Sequence, residues 1–486
     1  MQASWVRAAY FGLVVACGVG FWGEIATAAA DDDRPNIILI LSDDEDIRIH
    51  KYMPKTKALI EDQGISFDNY FVTYSFCCPS RATILRGQYS HNHRIQGNVL
   101  PSGGAHKFRI LGHDQSTVAT WLQAAGYHTG LFGKYMNEYE PEEQTYIPPG
   151  WDEWYAAGHD YYDYVLNENG RHVSYGHGPE DYLTDVISRH TVAALRRVAK
   201  AGKPFFFYVA PYAPHGPATA APRHAHLFTD TPYPRPRSFD EADVSDKPSL
   251  IRDLPRLDAE KIAWIQGQYR ARLRSLQAVD DLVENIVATL KETGALGNTY
   301  IIYTSDNGWH MGEHRQWFGK TTAYEEDIRV PFVMRGPGVP KGVRLAPFVL
   351  NNDLAPTFTA LAGVIPPSFV DGRSFLPLLD DPKQPWRQSL AIERRQRESF
   401  ELVGPASFQA LRTADWTYVE YANGERELYD LRADPDQLAN LAGTADSALL
   451  GHLSSRLAEL ANCAGVYCRN IEDAPLIPVV AVTASQ

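Results

Sequence analysis

The stretch Asn36-Ile37-Ile38-Leu39-Ile40-Leu41-Ser42-Asp43-Asp44 is an apolar run that opens, with no turn residue between, onto a hydroxyl and two carboxylates. Isoleucine and leucine without polar alternation read as a strand buried on both faces, the condition of a strand inside an α/β sheet. Two further runs end in the same way. Pro204 to Ala210 opens onto Pro211-Tyr212-Ala213-Pro214-His215, and Tyr300 to Thr304 opens onto Ser305-Asp306-Asn307-Gly308. Helical periodicity lies between them at Pro54 to Gln63, Val118 to Ala125 and over the long stretch from Ala259 to Thr293. Strands alternating with helices predict an α/β doubly wound sheet, whose ligands sit in the crevice beyond the strand carboxyl ends. The three polar clusters are therefore expected to converge.

Beyond Asp380-Asp381-Pro382 the pattern changes to short half-buried strands at Phe408 to Thr413, Trp416 to Tyr421 and Glu427 to Leu431. This predicts a catalytic domain over residues 31–384 and a smaller C-terminal α+β subdomain, built on a short antiparallel sheet, over 385–486. From Gly216 to Pro255 the chain carries seven prolines and no clear period. So long an irregular segment, placed directly after His215, reads as a functional loop.

The composition, 44% hydrophobic and 22% charged over 486 residues, excludes a disordered or fibrous chain. Lys and Arg number 46 against 59 Asp and Glu, a formal charge of −13. That is the wrong sign for tracking nucleic acid, so any bound anion must be held by a local cationic pocket.

Arg7 is the only charge ahead of an apolar run from Ala8 to Gly23, and Ala26-Thr27-Ala28-Ala29-Ala30 then precedes Asp31-Asp32-Asp33. The run is short for a membrane span and has the layout of a secretory signal over residues 1–30, cleaved near Ala28 or Ala30. The competing reading is a lipid anchor at Cys17, because Val14-Val15-Ala16-Cys17 resembles a lipobox. No other stretch reads as a span, so an integral membrane protein is not expected. The absence of any Asn-x-Ser/Thr sequon favours a bacterial periplasmic or secreted protein. In an oxidising compartment Cys463 and Cys468, which enclose only Ala-Gly-Val-Tyr, read as a small disulfide loop. Adjacent Cys77 and Cys78 fit neither a disulfide nor a zinc set and call for another chemistry.

Asp43, Asp44, Asp306 and Asn307 make three carboxylates and a carboxamide at strand ends. Singly, each is an ordinary turn or cap. Together they are hard oxygen donors suited to calcium or magnesium and not to zinc.

Cys77-Cys78-Pro79-Ser80-Arg81-Ala82-Thr83-Ile84-Leu85-Arg86-Gly87 resembles the sulfatase signature CxPSRxxxLxG. Gly126-Tyr127-His128-Thr129-Gly130-Leu131-Phe132-Gly133-Lys134 resembles the second sulfatase motif, which ends on a sulfate-binding lysine. Phe132, where a smaller residue is usual, and Met136, where many sulfatases carry histidine, depart from it. The resemblance runs from Arg34 to Asn470 and is closest to the N-acetylglucosamine-6-sulfatase branch, through CCPSRATILRGQYSHNH, FGKYMNEY, PPGWDEWYA, DYLTDV, APHGPATAAP, YTSDNG, LYDLRADPDQLANL and NCAGVYCR. It implies an alkaline-phosphatase-like mixed sheet flanked by helices.

The same resemblance implies that a maturation enzyme oxidises Cys77 to formylglycine, and that one calcium ion is held by Asp43, Asp44, Asp306, Asn307 and the modified Cys77 itself. One hydroxyl of the hydrated aldehyde would attack sulfur; the other, deprotonated, would release sulfate. Asp306 is the candidate base. Arg81, one helical turn from residue 77, would orient the diol, and Lys134 and Lys320 would clamp the sulfate. His215 would bind a sulfate oxygen or protonate the leaving alkoxide. Asn137 and Glu138 are placed to read sugar hydroxyls or an N-acetyl group; His310, as a substrate contact, and His314, His91 and His93 are weaker candidates. Trp151, Trp154 and Tyr155 would stack on a pyranose or pack in the core. The expected substrate is a sulfated sugar, with 6-sulfate removed from a terminal N-acetylglucosamine, or an aryl sulfate ester. The alternatives are a broad arylsulfatase, a phosphonate or phosphate ester hydrolase with the same centre, and a non-catalytic glycan-binding scaffold if Cys77 stays unmodified.

Overall fold

The computed structural model describes residues 33–140, 145–395 and 407–476. The signal over 1–30 and the Cys17 lipobox lie outside the described residues. Arg34 onward forms one compact unit, and among its described residues no helix is long and apolar enough to cross a membrane.

Its centre is a ten-stranded sheet. From one edge the order is Val343–Leu345, Ile65–Phe67, Phe332–Arg335, Thr299–Ser305, Asn36–Ser42, Phe205–Ala210, His128–Lys134, Glu153–Ala157, Val165–Glu168 and Arg171–Ser174. The five strands from Thr299–Ser305 to Glu153–Ala157 run parallel. Phe332–Arg335 and Val165–Glu168 pair antiparallel to the ends of that block, which makes the sheet mixed. The three apolar runs read from the sequence are the three adjacent central strands. Alternate side chains of Asn36–Ser42 go to opposite cores: Ile37, Leu39 and Leu41 to one, Ile38 and Ile40 to the other. Burial on both faces is why that run lacks polar alternation.

One face is covered by Leu183–Ala201 and Ala259–Glu292 through Val186, Leu195, Leu276 and Val283. The other is covered by Cys77–Arg86, Val118–Ala124 and Leu354–Leu361 through Ala82, Leu85, Leu122 and Phe358. The helix expected from Pro54 to Gln63 is one α-turn, Pro54–Thr56, that widens into a π-helical turn over Lys57–Glu61. The proline-rich segment forms only short helices at Pro222–His224 and Ser249–Arg252.

Ser389–Arg394, Phe408–Thr413, Trp416–Tyr421 and Arg426–Asp430 form a separate antiparallel sheet. Ser447–Leu460 packs Leu453, Leu457 and Leu460 on it, and a disulfide joins Cys463 to Cys468.

Candidate active site

Parallel register sets Ser42 opposite Ser305, so the residues that follow them, Asp43 and Asp306, leave the sheet side by side. Asp44 then takes a left-handed backbone (φ 67°), a conformation that aspartate tolerates better than most residues. The turn brings both adjacent carboxylates to the same place, which a continuing strand would not. The Asp44 N–H donates to Asp306 Oδ1 at 3.1 Å, and the Asp43 N–H to the Ala213 carbonyl at 3.4 Å. The three strand ends thus converge, as the sequence reading expects.

Cys77 is the first residue of a helix whose ten residues are all buried. Its Sγ lies 3.7 Å from Asp43 Oδ1. One turn on, Arg81 donates from Nε to Asp306 Oδ2 and from Nη1 to the Lys134 carbonyl, both at 2.8 Å, while Nη2 stands 3.7 Å from Asp43 Oδ2. Ser80 Oγ donates to the Asp306 carbonyl and accepts from Asn351 Nδ2 at 3.0 Å.

Two ammonium groups, buried Lys134 and partly buried Lys320, face these acids. Lys134 Nζ bonds Asp43 Oδ2. Lys320 Nζ bonds Asp44 Oδ1, stands 2.8 Å from Cys77 Sγ and donates to Asn307 Oδ1 at 3.4 Å. His215 Nδ1 donates to the Gly216 carbonyl at 2.7 Å, which turns Nε2 toward Asp44 Oδ2 at 3.5 Å. Burial alone would raise the pKa of Asp43 and Asp44, but Lys134 beside the first and Lys320 beside the second outweigh it and hold both below the usual carboxylate range. Burial pushes the Cys77 thiol up to about 11.

Cation binding can be tested against this donor set. Asp44 Oδ2 is buried and has no hydrogen-bond partner, a costly state for a carboxylate oxygen unless a cation completes it. Donor atoms of Asp43, Asp44, Cys77 and His215 lie within 4.8 Å of one another. The Lys320 ammonium already sits among oxygens of Asp44 and Asn307, showing that the place favours positive charge. Asn307 turns Nδ2 to Asp44 Oδ1 at 2.6 Å, so its amide must turn over to offer oxygen. The residues fit a hard cation.

The other sequence candidates lie further out. His310 Nδ1 is tied to Asp327 at 2.9 Å, and its ring borders a neighbouring cavity. The Asn137 N–H donates to Cys78 Sγ at 3.1 Å, and Glu138 Oε1 accepts from the Leu100 N–H at 2.8 Å, so both brace the Cys78 turn and the loop after Asn98. Trp151 and Trp154 are core residues, and Trp154 Nε1 donates to Tyr139 Oη at 2.7 Å, so of the two alternatives left open for them they take core packing. His91 holds Glu393, His93 holds Thr83 and His314 holds Glu241.

Two residues near the centre escape the sequence reading. Buried Arg272 donates to the Asp44 carbonyl and faces Asp46 at 3.5 Å; on a long helix it looks like one more basic residue. His159 follows the strand Glu153–Ala157, its ring 6.0 Å from Tyr212, and burial lowers its pKa to about 3, with Lys134 adding to the effect. Its signal is the one that flags His215, an apolar run opening onto a polar residue.

Carboxylates, paired ammonium groups and a nucleophile-bearing helix end on an α/β sheet define a hydrolytic centre for a small anionic ester. The sulfatase family model matches residues 35–364, and that of the N-sulphoglucosamine sulphohydrolase C-terminal region matches 312–462. An arylsulfatase of Volvox carteri is 37% identical over 94% of this chain and 79% of its own. The N-acetylglucosamine-6-sulfatase of Homo sapiens is 36% identical over 91% of this chain and 87% of its own. A solved structure of a protein in complex with its substrate D-glucosamine-2-N,6-O-disulfate matches with a TM-score of 0.74 at 28% identity, covering 90% of this chain and 99% of that one. The chain belongs to the sulfatase family and is a sulfatase.

Proposed function

We propose that this sulfatase removes 6-sulfate from terminal N-acetylglucosamine-type sugars, with Cys77 converted to formylglycine and a calcium ion held by Asp43, Asp44, Asp306 and Asn307. The observation that carries the reading is Cys77 at a buried helix N-terminus with Lys320 Nζ 2.8 Å and Asp43 Oδ1 3.7 Å from its Sγ. The relatives named for glucosamine 6-sulfates support the sugar.

The hydrated aldehyde at residue 77 would supply a nucleophile able to release sulfate later, and a calcium ion held by the carboxylates would supply positive charge for the sulfate oxygens. The chain's own residues do the rest. Lys134 and Lys320 meet the remaining negative charge from fixed positions, so little reorganisation is needed as charge develops. Arg81 fixes Asp306 through its Nε bond. Asp306 takes a proton from residue 77 through Oδ1, whose partner is a backbone N–H and which keeps a lone pair. His215 Nε2, aimed at the centre by the bond from Nδ1, gives a proton to the leaving alkoxide. Asn137 and Glu138 tune sugar choice by setting the wall at Cys78.

Residues 31–384 carry this chemistry, 385–486 form an appended subdomain, and residues 1–30 direct export. Turnover of defined sugar sulfates tests the reading: N-acetylglucosamine 6-sulfate should exceed its 3- and 4-sulfate isomers and the matching 6-phosphate in kcat/KM. Equal or faster turnover of the phosphate would replace the reading by a phosphoesterase one.

A further inference from the structure

The strand Glu153–Ala157 lies parallel to His128–Lys134 with Ala157 opposite Lys134, so the chain leaves the sheet at both places on one level. Two residues beyond Lys134 stands Met136, which packs into the apolar core and offers the centre no hydrogen-bond donor. Two residues beyond Ala157 stands His159, which does.

Three side chains meet at the ring of Tyr212. His215 stacks on it at 4.6 Å between ring centres, Lys134 Nζ lies 5.6 Å from its centre, and the His159 ring stands 6.0 Å away at 76°. The neighbouring hydroxyls donate elsewhere: Tyr212 Oη to the Gly216 carbonyl at 3.0 Å, and Tyr161 Oη to the His215 carbonyl at 2.7 Å. His159 Nε2 is buried and has no hydrogen-bond partner. A nitrogen in that state has lost water without gaining a protein group, which is costly unless a ligand completes it. Cys77, Arg81 and Lys134 are closed off from water in the same way, so the orphaned nitrogen belongs to the enclosed centre.

The surrounding charge says which ligand suits it. Beyond burial itself, the groups that act most strongly on His159 are Lys134, Asp43, His215 and Arg81. Two of these are permanent cations, which suits an anionic oxygen better than a metal ion or an amine. Burial, with Lys134 adding to it, keeps the imidazole uncharged, so it can bring an N–H without a further positive charge. That distinction matters between esters of similar shape. A sulfate monoester carries one negative charge, whereas a phosphate monoester carries about two at neutral pH. A neutral donor adds a bond to either, but a third fixed cation would favour the second.

We infer that His159 is a substrate-contacting and specificity-determining residue, its Nε2 N–H donating to a sulfate oxygen on the Lys134 side of the centre and favouring the monoanionic sulfate ester over a dianionic phosphate. The inference rests on the sulfatase reading with Lys134 in the sulfate clamp, and is independent of which sugar the sulfate is joined to.

The test uses the mature full-length enzyme and probes that contain no sugar: inorganic sulfate, a simple aryl sulfate and the matching aryl phosphate. His159→Phe keeps a ring against Tyr212 and removes both nitrogens; His159→Gln keeps a neutral donor; His159→Lys adds a cation. The Ki of inorganic sulfate and the KM of the aryl sulfate should each rise about tenfold or more in His159→Phe and return to within threefold of wild type in His159→Gln. In His159→Lys the kcat/KM ratio of aryl sulfate to aryl phosphate should fall about tenfold or more. The ¹³Cε1 resonance of His159, assigned by its loss in the variants, should move when sulfate is added to the wild type and to Cys77→Ala, a readout that needs neither turnover nor the aldehyde. A resonance unmoved at saturating sulfate, or a folded His159→Phe that loses kcat with its sulfate Ki unchanged, would reduce His159 to packing against Tyr212 and overturn the inference. An unchanged ratio in His159→Lys would overturn its specificity role. Failure of the sulfatase reading is distinguishable, because the wild type alone would then prefer the aryl phosphate.

Discussion

Arg81 Nε donates to Asp306 Oδ2 at 2.8 Å from a position one helical turn beyond Cys77, and both side chains are fully buried. The same guanidinium reaches the Lys134 carbonyl, so a single side chain ties together the helix and two of the strand ends. Removing one partner of a buried ion pair leaves an uncompensated charge and costs about 3–5 kcal/mol. Arg81→Ala should therefore lower the melting temperature sharply. Arg81→Lys keeps the charge but loses the fork, and should retain more stability while kcat falls by about 100-fold or more. Thermal melts and kinetics on both variants check this; a fully active Arg81→Lys enzyme would show that charge alone suffices.

The thiol of Cys77 is a poor starting point for chemistry, because burial holds it protonated at neutral pH. Enzyme made without a maturation partner should fold and bind calcium yet turn over almost nothing. Peptide mass mapping of active enzyme should find the aldehyde at residue 77. Full activity in a sample whose Cys77 is wholly thiol would exclude the mechanism, and Cys77→Ala should be inactive in every host.

Asp44 Oδ2 is a buried oxygen without a hydrogen-bond partner, and the other oxygen of its carboxylate is shared between Lys320 and Asn307. Asp44→Asn and Asp43→Asn each replace a hard anionic donor by an amide, so bound calcium and kcat should fall together, by about tenfold or more. Elemental analysis beside kinetics is the check. Retention of stoichiometric calcium by Asp44→Asn would remove Asp44 from the ligand set, and zinc should restore neither variant.

The sequence discloses these features unevenly, for physical reasons. The central strands are legible because burial on both faces makes them uniformly apolar, and the two outermost strands on one side are not: Val343–Leu345 at the edge and Ile65–Phe67 beside it have three residues each and no room for a pattern. The long helix Ala259–Glu292 is visible through its repeated apolar face, whereas the helix that begins at Cys77 is not, because with all ten residues buried, Ser80, Arg81, Thr83 and Arg86 among them, it has no solvent-facing side to mark the period. That helix is found only through its resemblance to a signature. Trp154 stays open between stacking and core packing because an indole reads alike on a surface or in a core; the Tyr139 hydroxyl that satisfies its N–H stands 15 residues back along the chain.

The last expectation concerns pH and lies away from the centre. Asp371 accepts from the Tyr89 and Gly465 N–H groups and from Asn92 Nδ2, so it joins the turn after the Cys77 helix to the disulfide loop. Burial lifts its pKa from 3.8 to about 6, against the pull of those bonds. The sign follows from proton counting. Between the two values the folded chain holds a proton that the unfolded chain has released, so this group's contribution to stability falls as pH rises from 3.8 toward about 6 and is flat above. The swing is on the order of 2–3 kcal/mol, because each pH step of one between the two values is worth about 1.4 kcal/mol. Asp371→Asn cannot titrate and offers one accepting oxygen where the acid offers more, so it should be less stable at every pH. The wild-type advantage should be largest near pH 4 and shrink through pH 6. Comparing the two proteins in denaturant unfolding across that range cancels the other titrating groups. An advantage that grows with pH would mean that the N–H bonds to the carboxylate outweigh its burial.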